Sequence, residues 1–417
     1  MMRALFAGVS GLRNHQTWMD VIGNNIANVN TVAYKGSRVT FKEAFAQLIQ
    51  GGAQPTSTMG GTNPVQIGAG VNIGSIDQMF TQGSLQSTGR NTDLAIQGDG
   101  FFIVNNGSRD VYTRAGNFQL DATGRLVTPV GYVAQGRVAD ETGNFPSGNQ
   151  IEDIQINMGQ TAPARATTTV GFSGNLDAAA AVDDTHVMGI TVYDATGAGH
   201  EVEIEFINTG PGAWDWIATC GTTAIAPAGN GTVTFNGDGT LDLFTYPGGG
   251  AGLTITPAGG SADPFDITID AGATGGIGGL TGFAGTSDAV VNTQDGYQAG
   301  NLVEIGVDYR GMITGYFTNG TSTNLAQLAL ANFDNPSGLQ RMGENVYSES
   351  SNSGLAILNF AGEGSASSIT PGALESSNVD ISQEFTNMII AQRGFQANAR
   401  VISTADEILQ ELVNIRR

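Results

Sequence analysis

VDISQEFTNMIIAQRGFQANARVISTADEILQELVNI, the stretch from Val379 to Ile415, decides how this chain is read. Ile381, Met388, Phe395, Ile402 and Leu409 recur at intervals of seven, and a second, mostly small track follows three residues behind: Glu384, Ala391, Asn398, Ala405 and Leu412. A sustained repeat of seven marks a helix that buries one narrow stripe against other helices. At about 1.5 Å per residue the stretch would form a rod of roughly 55 Å. Ser377-Asn378-Val379-Asp380 reads as its capping box, with the hydroxyl at the N-cap and the carboxylate three residues on. No proline interrupts it, and the one interior glycine, Gly394, costs about 1 kcal/mol relative to alanine.

An amphipathic helix lying on its own domain could show the same repeat, but the other end of the chain repeats it too. Leu5, Leu12, Met19 and Ile26 are again seven apart, with Val9 and Ile22 beside them, and predict a helix over Arg3 to Asn28. Two such helices, one at each end, predict an antiparallel pair through which the chain leaves and returns. A pair covers one side of each member only. Phe6, Trp18, Phe385, Ile389, Ile390 and Val401 fall off the stripe and are expected to stay wet in a lone chain. Each large apolar side chain left in water forgoes roughly 1.5–3 kcal/mol of burial, so such a surface calls for partners. Self-association is the first functional expectation. The interface is assigned to Leu5, Leu12, Met19, Ile22 and Ile26 on the first helix. On the second it is assigned to Ile381, Phe385, Met388, Phe395, Ile402, Leu409 and Leu412.

Between the helices the composition changes. Sixty-one glycines and 13% charged residues in 417 suit a β-rich, turn-rich body. The net charge of −21 is uneven: residues 1–70 and 375–417 together carry +1, leaving −22 for the middle. The ends can pack densely while the middle stays solvated, and an acidic body excludes the basic patch that nucleic-acid binding needs. Asn24-Asn25-Ile26-Ala27-Asn28-Val29-Asn30 ends the first helix. Residues 31–71 read as a connector, with a short helix expected around Phe41 to Ile49. From 72 the pattern is β: Phe101–Val104 and Val111–Thr113 flank Asn105-Asn106-Gly107 as a hairpin, and a strand is expected at Arg125–Thr128. Residues 159–294 turn Ala/Thr/Gly-rich, with strands expected at Gly189–Tyr193, Glu201–Ile207 and Ala213–Thr219. The earlier character resumes over Leu302–Tyr309, Met312–Phe317 and Leu325–Phe333. The expected fold is therefore mainly β and multidomain, closed by a terminal helical coiled-coil pair. Its domains are nested as 1–30 with 375–417, a connector 31–71, a first β domain 72–158 with 295–374, and an inserted β domain 159–294.

Chemistry is sparse. The single cysteine, Cys220, permits no disulfide framework or zinc site and reads as a core residue. His15 reads as an interface or surface residue. His186 and His200, near Asp183, Asp184 and Glu201, are a thin basis for a metal site. There is no G-x-S-x-G elbow and no P-loop, and the only lysines are Lys35 and Lys42. Asn236-Gly237-Asp238-Gly239-Thr240-Leu241-Asp242 has Leu241 where a calcium loop needs glycine and reads as a β-turn. Membrane insertion is not expected, for want of about 20 consecutive apolar residues. The apolar run after Arg3 is too short for a signal peptide, so an uncleaved N-terminus is expected. No catalytic residue, metal or cofactor is expected, and the chain is not read as an enzyme.

Several stretches resemble one family. Asn24 to Thr31 with Tyr34-Lys35-Gly36 is similar to the N-terminal signature of flagellar rod and hook proteins, and Glu384 to Arg400 to the C-terminal one. Thr92 to Phe102 and Asp308 to Gly320 resemble the first β domain of that family. Ala33 departs from the pattern, which has glycine before the aromatic residue. Rod proteins of the family are expected to be much shorter, so the insertion at 159–294 points to its hook branch. The resemblance implies a homopolymeric, curved and flexible tube outside the cell, coupling motor rotation to the filament. It implies export through the flagellar apparatus and, as partners, the chain itself, a distal rod protein, a hook cap and a hook–filament junction protein. A distal rod protein, a secreted β-rich adhesin and an enzyme with its site in 159–294 are the competing readings.

Overall fold

The computed structural model describes residues 2–55, 59–140, 143–146, 148, 150–221, 223–257, 262–365 and 367–414; Ile415, the last residue of the predicted helix, lies outside them. The chain forms two compact units. One comprises Met1–Asn157, Ile305–Thr314 and Thr323–Arg417, the other Met158–Glu304 and Gly315–Ser322.

In the first unit α1 (Met2–Ala27) opens the chain and α2 (Ile381–Asn414) closes it. The cap of α2 lies three residues beyond the Ser377 expected from sequence. Asp380 Oδ1 accepts from the backbone N–H of Ser382 and Gln383 at 2.8 and 3.2 Å, while the Ser377 hydroxyl accepts from Val379 N–H in the turn before. A carboxylate at the N-cap meets both the open N–H groups and the positive end of the helix dipole.

The connector holds no helix around Phe41 to Ile49. It forms two hairpins, β1 (Ser37–Glu43) with β4 (Val71–Gln78) and, nested inside, β2 (Ala46–Gln50) with β3 (Val65–Gly68). Val39, Thr40 and Phe41 are β-branched or aromatic and fit a pleated surface. Phe41 also sets its ring edge-on against Trp18 of α1, with centroids 5.6 Å apart. Asn14 Nδ2 donates to Val71 O at 2.6 Å, tying α1 to β4.

The β body of this unit contains the predicted hairpin, Phe101–Asn105 with Asp110–Thr113. The strand expected at Arg125–Thr128 is Leu126–Val127. In one sheet Ser322–Asn332 is followed by Val133–Val138, Phe101–Asn105, Asp110–Thr113, Val346–Ser348 and Gln340–Gly343. Its core gathers Phe101, Ile103, Tyr112, Phe333, Tyr347 and Phe360, with Phe101 and Tyr347 edge-on at 5.8 Å.

The second unit contains a β-sandwich. One antiparallel sheet runs Thr185–Tyr193, Gly199–Gly210, Ala213–Thr219, Gly231–Phe235, Leu241–Thr245. In the other, Thr169–Asn175 pairs in parallel with Phe265–Asp270 and Leu280–Thr281, and antiparallel with Val290–Gln294. Both sheets feed one core built around Trp214, Trp216, Phe206 and Phe172, in which Cys220 is buried. The strand Gly199–Gly210 buries Val202, Ile204 and Phe206 and turns Glu201 and Glu203 to solvent, the alternation of a sheet with one wet face. Asn236–Thr240 is a turn between strands: Asn236 N–H donates to Thr240 O at 2.8 Å, and Asp238 Oδ1 accepts from Thr240 N–H.

Ala33 carries a physical signature of its own. It is fully buried, its φ is +55°, and its N–H donates to Glu375 O at 2.8 Å. A Cβ in the left-handed region costs roughly 1–2 kcal/mol. Ala33→Gly should therefore be neutral or stabilising by up to about 1 kcal/mol, once the added freedom of the unfolded chain is counted. Thermal unfolding of the two proteins side by side measures this; a loss of that size instead would show the left-handed turn to be unstrained.

Candidate assembly interface

The terminal helices pack antiparallel, and the contacts fix their register. A Cβ on Gly8 would sit 3.1 Å from Ile402 Cγ1, one on Gly11 2.7 Å from Asn398 Oδ1, and one on Gly394 2.5 Å from the His15 ring. Asn25 faces Glu384 at the far end. Missing side chains thus let the helices approach closely: at Gly8 and Gly11 on α1 the partner's side chain fills the space, and at Gly394 the His15 imidazole does. The His15 ring lies 6.0 Å from Trp18 and 5.9 Å from Phe41, and burial lowers its pKa.

The buried residues of α2 are Glu384, Ala391 and Ala405, and those of α1 are Gly8, Gly11, Ile22 and Asn25. Of the interface residues expected from sequence, Ile22 is fully buried. Leu5, Leu12, Met19, Ile26, Met388, Phe395, Ile402 and Leu409 are half-buried beside the seam, whereas Ile381, Phe385 and Leu412 are exposed. Geometry explains the pattern. Seven residues at roughly 100° each fall about 20° short of two turns, so a heptad track rotates along a straight helix. Ile381 begins outside the contact, Leu412 ends outside it, and the seam crosses from the small track toward the large one. Gly8 and Gly11 were the residues the heptad count overlooked, whereas Asn398, Ala391 and Ala405 stand on its small second track. Trp18, expected to be wet, is half-buried against Phe41.

Both flanks of α2 remain apolar. Ile390, Val401 and Ile408 share one side of the seam by the same rotation, and Phe385 and Ile389 the other; all five are exposed, as are Phe6 and Val9 of α1. Glu384 is the buried charge of the seam. Burial pushes its carboxyl above the usual range, with the Asn25 side chain pulling the other way.

Elsewhere the titratable groups are held locally. His186 Nε2 meets Ala289 O at 2.8 Å, and His200 Nε2 meets Asp194 Oδ2 at 3.0 Å. Among the described residues no three His, Cys, Asp or Glu side chains converge as a metal site, and no helix is long and apolar enough to cross a membrane.

Fold and seam together define a class: a β-rich subunit whose two chain ends close into one helical pair with apolar flanks. Comparison with known proteins gives the family. Residues 5–35 match the family described as flagella basal body rod protein. Residues 95–178 match the flagellar hook protein FlgE/F/G D1 domain, 157–297 the flagellar basal body protein FlaE D2 domain, and 370–415 the flagellar basal body rod FlgEFG protein C-terminal region. The flagellar hook protein FlgE of Treponema pallidum is 38% identical across the full length of both chains. The flagellar basal-body rod protein FlgG of Bacillus subtilis is 34% identical, also over both full lengths. A crystal structure of Helicobacter pylori flagellar hook protein FlgE2 shares the fold, with a TM-score of 0.50 at 15% identity over 70% of this chain and all of the other. The chain belongs to the flagellar hook protein family.

Two substitutions test the seam. Gly11→Val drives a branched side chain into Asn398 and should weaken helix pairing by about 1–3 kcal/mol, the usual range for overpacking; hydrogen exchange of α1 and α2 reads it. Glu384→Gln tests the buried charge. Its folded pKa lies above its unfolded one, so the folded state holds the extra proton in that window. The pair gains stability as pH falls from neutral through the folded pKa, and gains no more below about 4.3. Glu384→Gln should raise the helix melting temperature at pH 7 and flatten this part of the pH profile. An unchanged profile would show the carboxylate to be well solvated.

Proposed function

We propose that this chain is the structural subunit of the flagellar hook, self-assembling into a curved, flexible tube that couples rotation of the motor and rod to the filament. The observation that carries this is the terminal helix pair with apolar residues on both flanks of its seam. A two-helix pair satisfies one contact. The flanking rows need a neighbour on each side, which a ring or helix of identical copies supplies.

Before assembly the pair has little to hold it, since isolated helices gain most of their stability from packing. Chain ends held this weakly until neighbours join suit export through a narrow apparatus. The partners follow: other copies, a distal rod protein at one end, a hook cap during growth, a hook–filament junction protein at the other end, and the export machinery. The place is the extracellular hook. The division into a helical polymerisation part (1–30, 375–417), a connector (31–71), a first β domain (72–158, 295–374) and an inserted outer domain (159–294) belongs to this proposal. Acidic, glycine-rich outer faces repel and hydrate, giving interchangeable contacts where one side of a bent tube shortens and the other extends. A distal rod subunit is the second reading, favoured by the full-length match to the Bacillus subtilis rod protein.

Electron microscopy under polymerising conditions tests both. Curved tubes support the hook and uniformly straight ones the rod. Removing the first thirty and last forty residues should leave a monomeric body at any concentration. Deleting 159–294 should leave tubes of altered curvature or stiffness. Assembly by the trimmed chain, or none by the intact one, overturns the reading.

A further inference from the structure

Away from the helix seam, the first unit buries two cations on one carboxylate. The side chains of Lys35 and Glu375 have no exposed surface, and Lys35 Nζ stands 2.7 Å from Glu375 Oε1 across 340 residues of sequence. Lys35 Nζ also donates to Thr81 O at 2.8 Å, and Gly83 N–H donates to the same Glu375 oxygen at 2.8 Å. The second carboxylate oxygen faces Arg114 Nη1 at 3.6 Å, an ion pair too long for a hydrogen bond; neither atom has a hydrogen-bond partner among the described residues. Arg114 is anchored separately, donating to Gly98 O at 2.8 Å.

Around this cluster three stretches of chain cross. Gly36 N–H donates to Asn378 Oδ1 at 2.8 Å, and Asn378 Nδ2 donates to Met79 O at 2.7 Å. The backbone of Glu375 accepts from Ala33, and that of Tyr34 from Asn378. A Cβ on Gly83 would strike the backbone of Ser376, and one on Gly36 would lie 3.1 Å from Val379 Cγ2. The exit of α1 and the entry of α2 are thus built against each other over the 79–84 segment.

We propose that Lys35, Glu375 and Arg114 form a charge latch, through which the N-terminal connector docks on the β body only when the C-terminal segment is in place, so that the two chain ends become ordered together. The physics is asymmetric. A buried lysine without its carboxylate is strongly disfavoured, so the 33–36 segment does not seat on a body that lacks Glu375. Arg114 lowers the cost of burying Glu375 while Lys35 is away, but at 3.6 Å and without a hydrogen bond it does not seat the C-terminal segment alone. On docking, Lys35 takes one oxygen and Arg114 retains a looser hold on the other. Burial lowers the pKa of both cations while Glu375 raises it, as expected of charges held out of water by one shared anion. The inference rests on the geometry of the first unit alone and stands whether or not the chain forms a tube.

The composition supplies a probe. Lys35 and Lys42 are the only lysines, and Lys42 is exposed. In a pulse of acetic anhydride on the full-length chain, read by mass spectrometry, Lys35 should react roughly ten-fold or more slowly than Lys42. In Glu375→Gln the two rates should converge, and amide exchange should quicken in both α1 and α2. In Lys35→Met, which leaves Glu375 to Arg114 and the body folded, exchange at Ile381–Asn414 should still quicken. The double variant should loosen the ends no more than either single change. Continued protection of Phe101–Asn105 shows that the body is intact. Loosening confined to the mutated end, or effects that add in the double variant, would overturn the latch.

Discussion

Two helices can cover only one side of each other, and in this chain they do so at close range. Gly8 and Gly11 let α1 meet Asn398 and Ile402, and Gly394 leaves room for His15. Close approach improves van der Waals contact along the seam but narrows it, leaving the large residues on either side uncovered. Ile390, Val401, Phe385 and Ile389 are about as exposed as surface residues, though their chemistry is that of a core. Each β unit has a core of its own. Unsatisfied burial is concentrated on the flanks of the terminal helices and on the connector hairpin, where Phe45, Leu48, Ile49, Val65 and Ile67 are exposed as well.

Much of this was legible in the sequence, for reasons that can be named. Strands betray themselves where one face is wet, so Ala213–Thr219 and Met312–Phe317 were bounded to the residue. The hairpin at Asn106-Gly107 followed from turn chemistry, and the terminal helices from their repeat. The phase of the seam was harder to read. A heptad count weights large apolar residues, whereas the closest contact here is made by glycine and alanine, which carry almost no hydrophobic signal. The Phe41–Ile49 segment failed differently. Its alternation is broken where β1 ends at Glu43 and β2 begins at Ala46, and again at the extra residue Ile49 between Leu48 and Gln50, and a bulged strand mimics helical spacing over a few residues. The capping box failed because Ser377 and Asp380 are both good caps, and only the fold chooses between them.

Of the latch residues only Lys35 fell within a family signature, and no sequence rule exposes its pairing with Glu375 and Arg114. Lys35 and Glu375 are 340 residues apart, and each looks like an ordinary surface charge on its own. Burial of charge is a property of topology: three segments must cross before either group loses its water. Ala33 belongs to the same crossing. Its left-handed backbone presents an N–H to Glu375 O one turn from the salt bridge, so the strain at Ala33 and the desolvation at Lys35 are both sustained by the same few hydrogen bonds.

The two features divide the work of assembly between them. The seam is apolar, narrow and incomplete, so its strength rises with the number of neighbours. The latch is polar, fully enclosed and stoichiometric, so its strength does not depend on neighbours at all. A chain with the seam alone could dock its helices one at a time, in any register that buried enough surface, since alanine and glycine tracks specify position weakly. A buried ion pair tolerates no such slippage, because a shift of one residue leaves a charge without its partner. Placing the specific contact where the helices leave the body, and the permissive one along their length, lets the ends find each other in one register while the apolar flanks stay free for other copies.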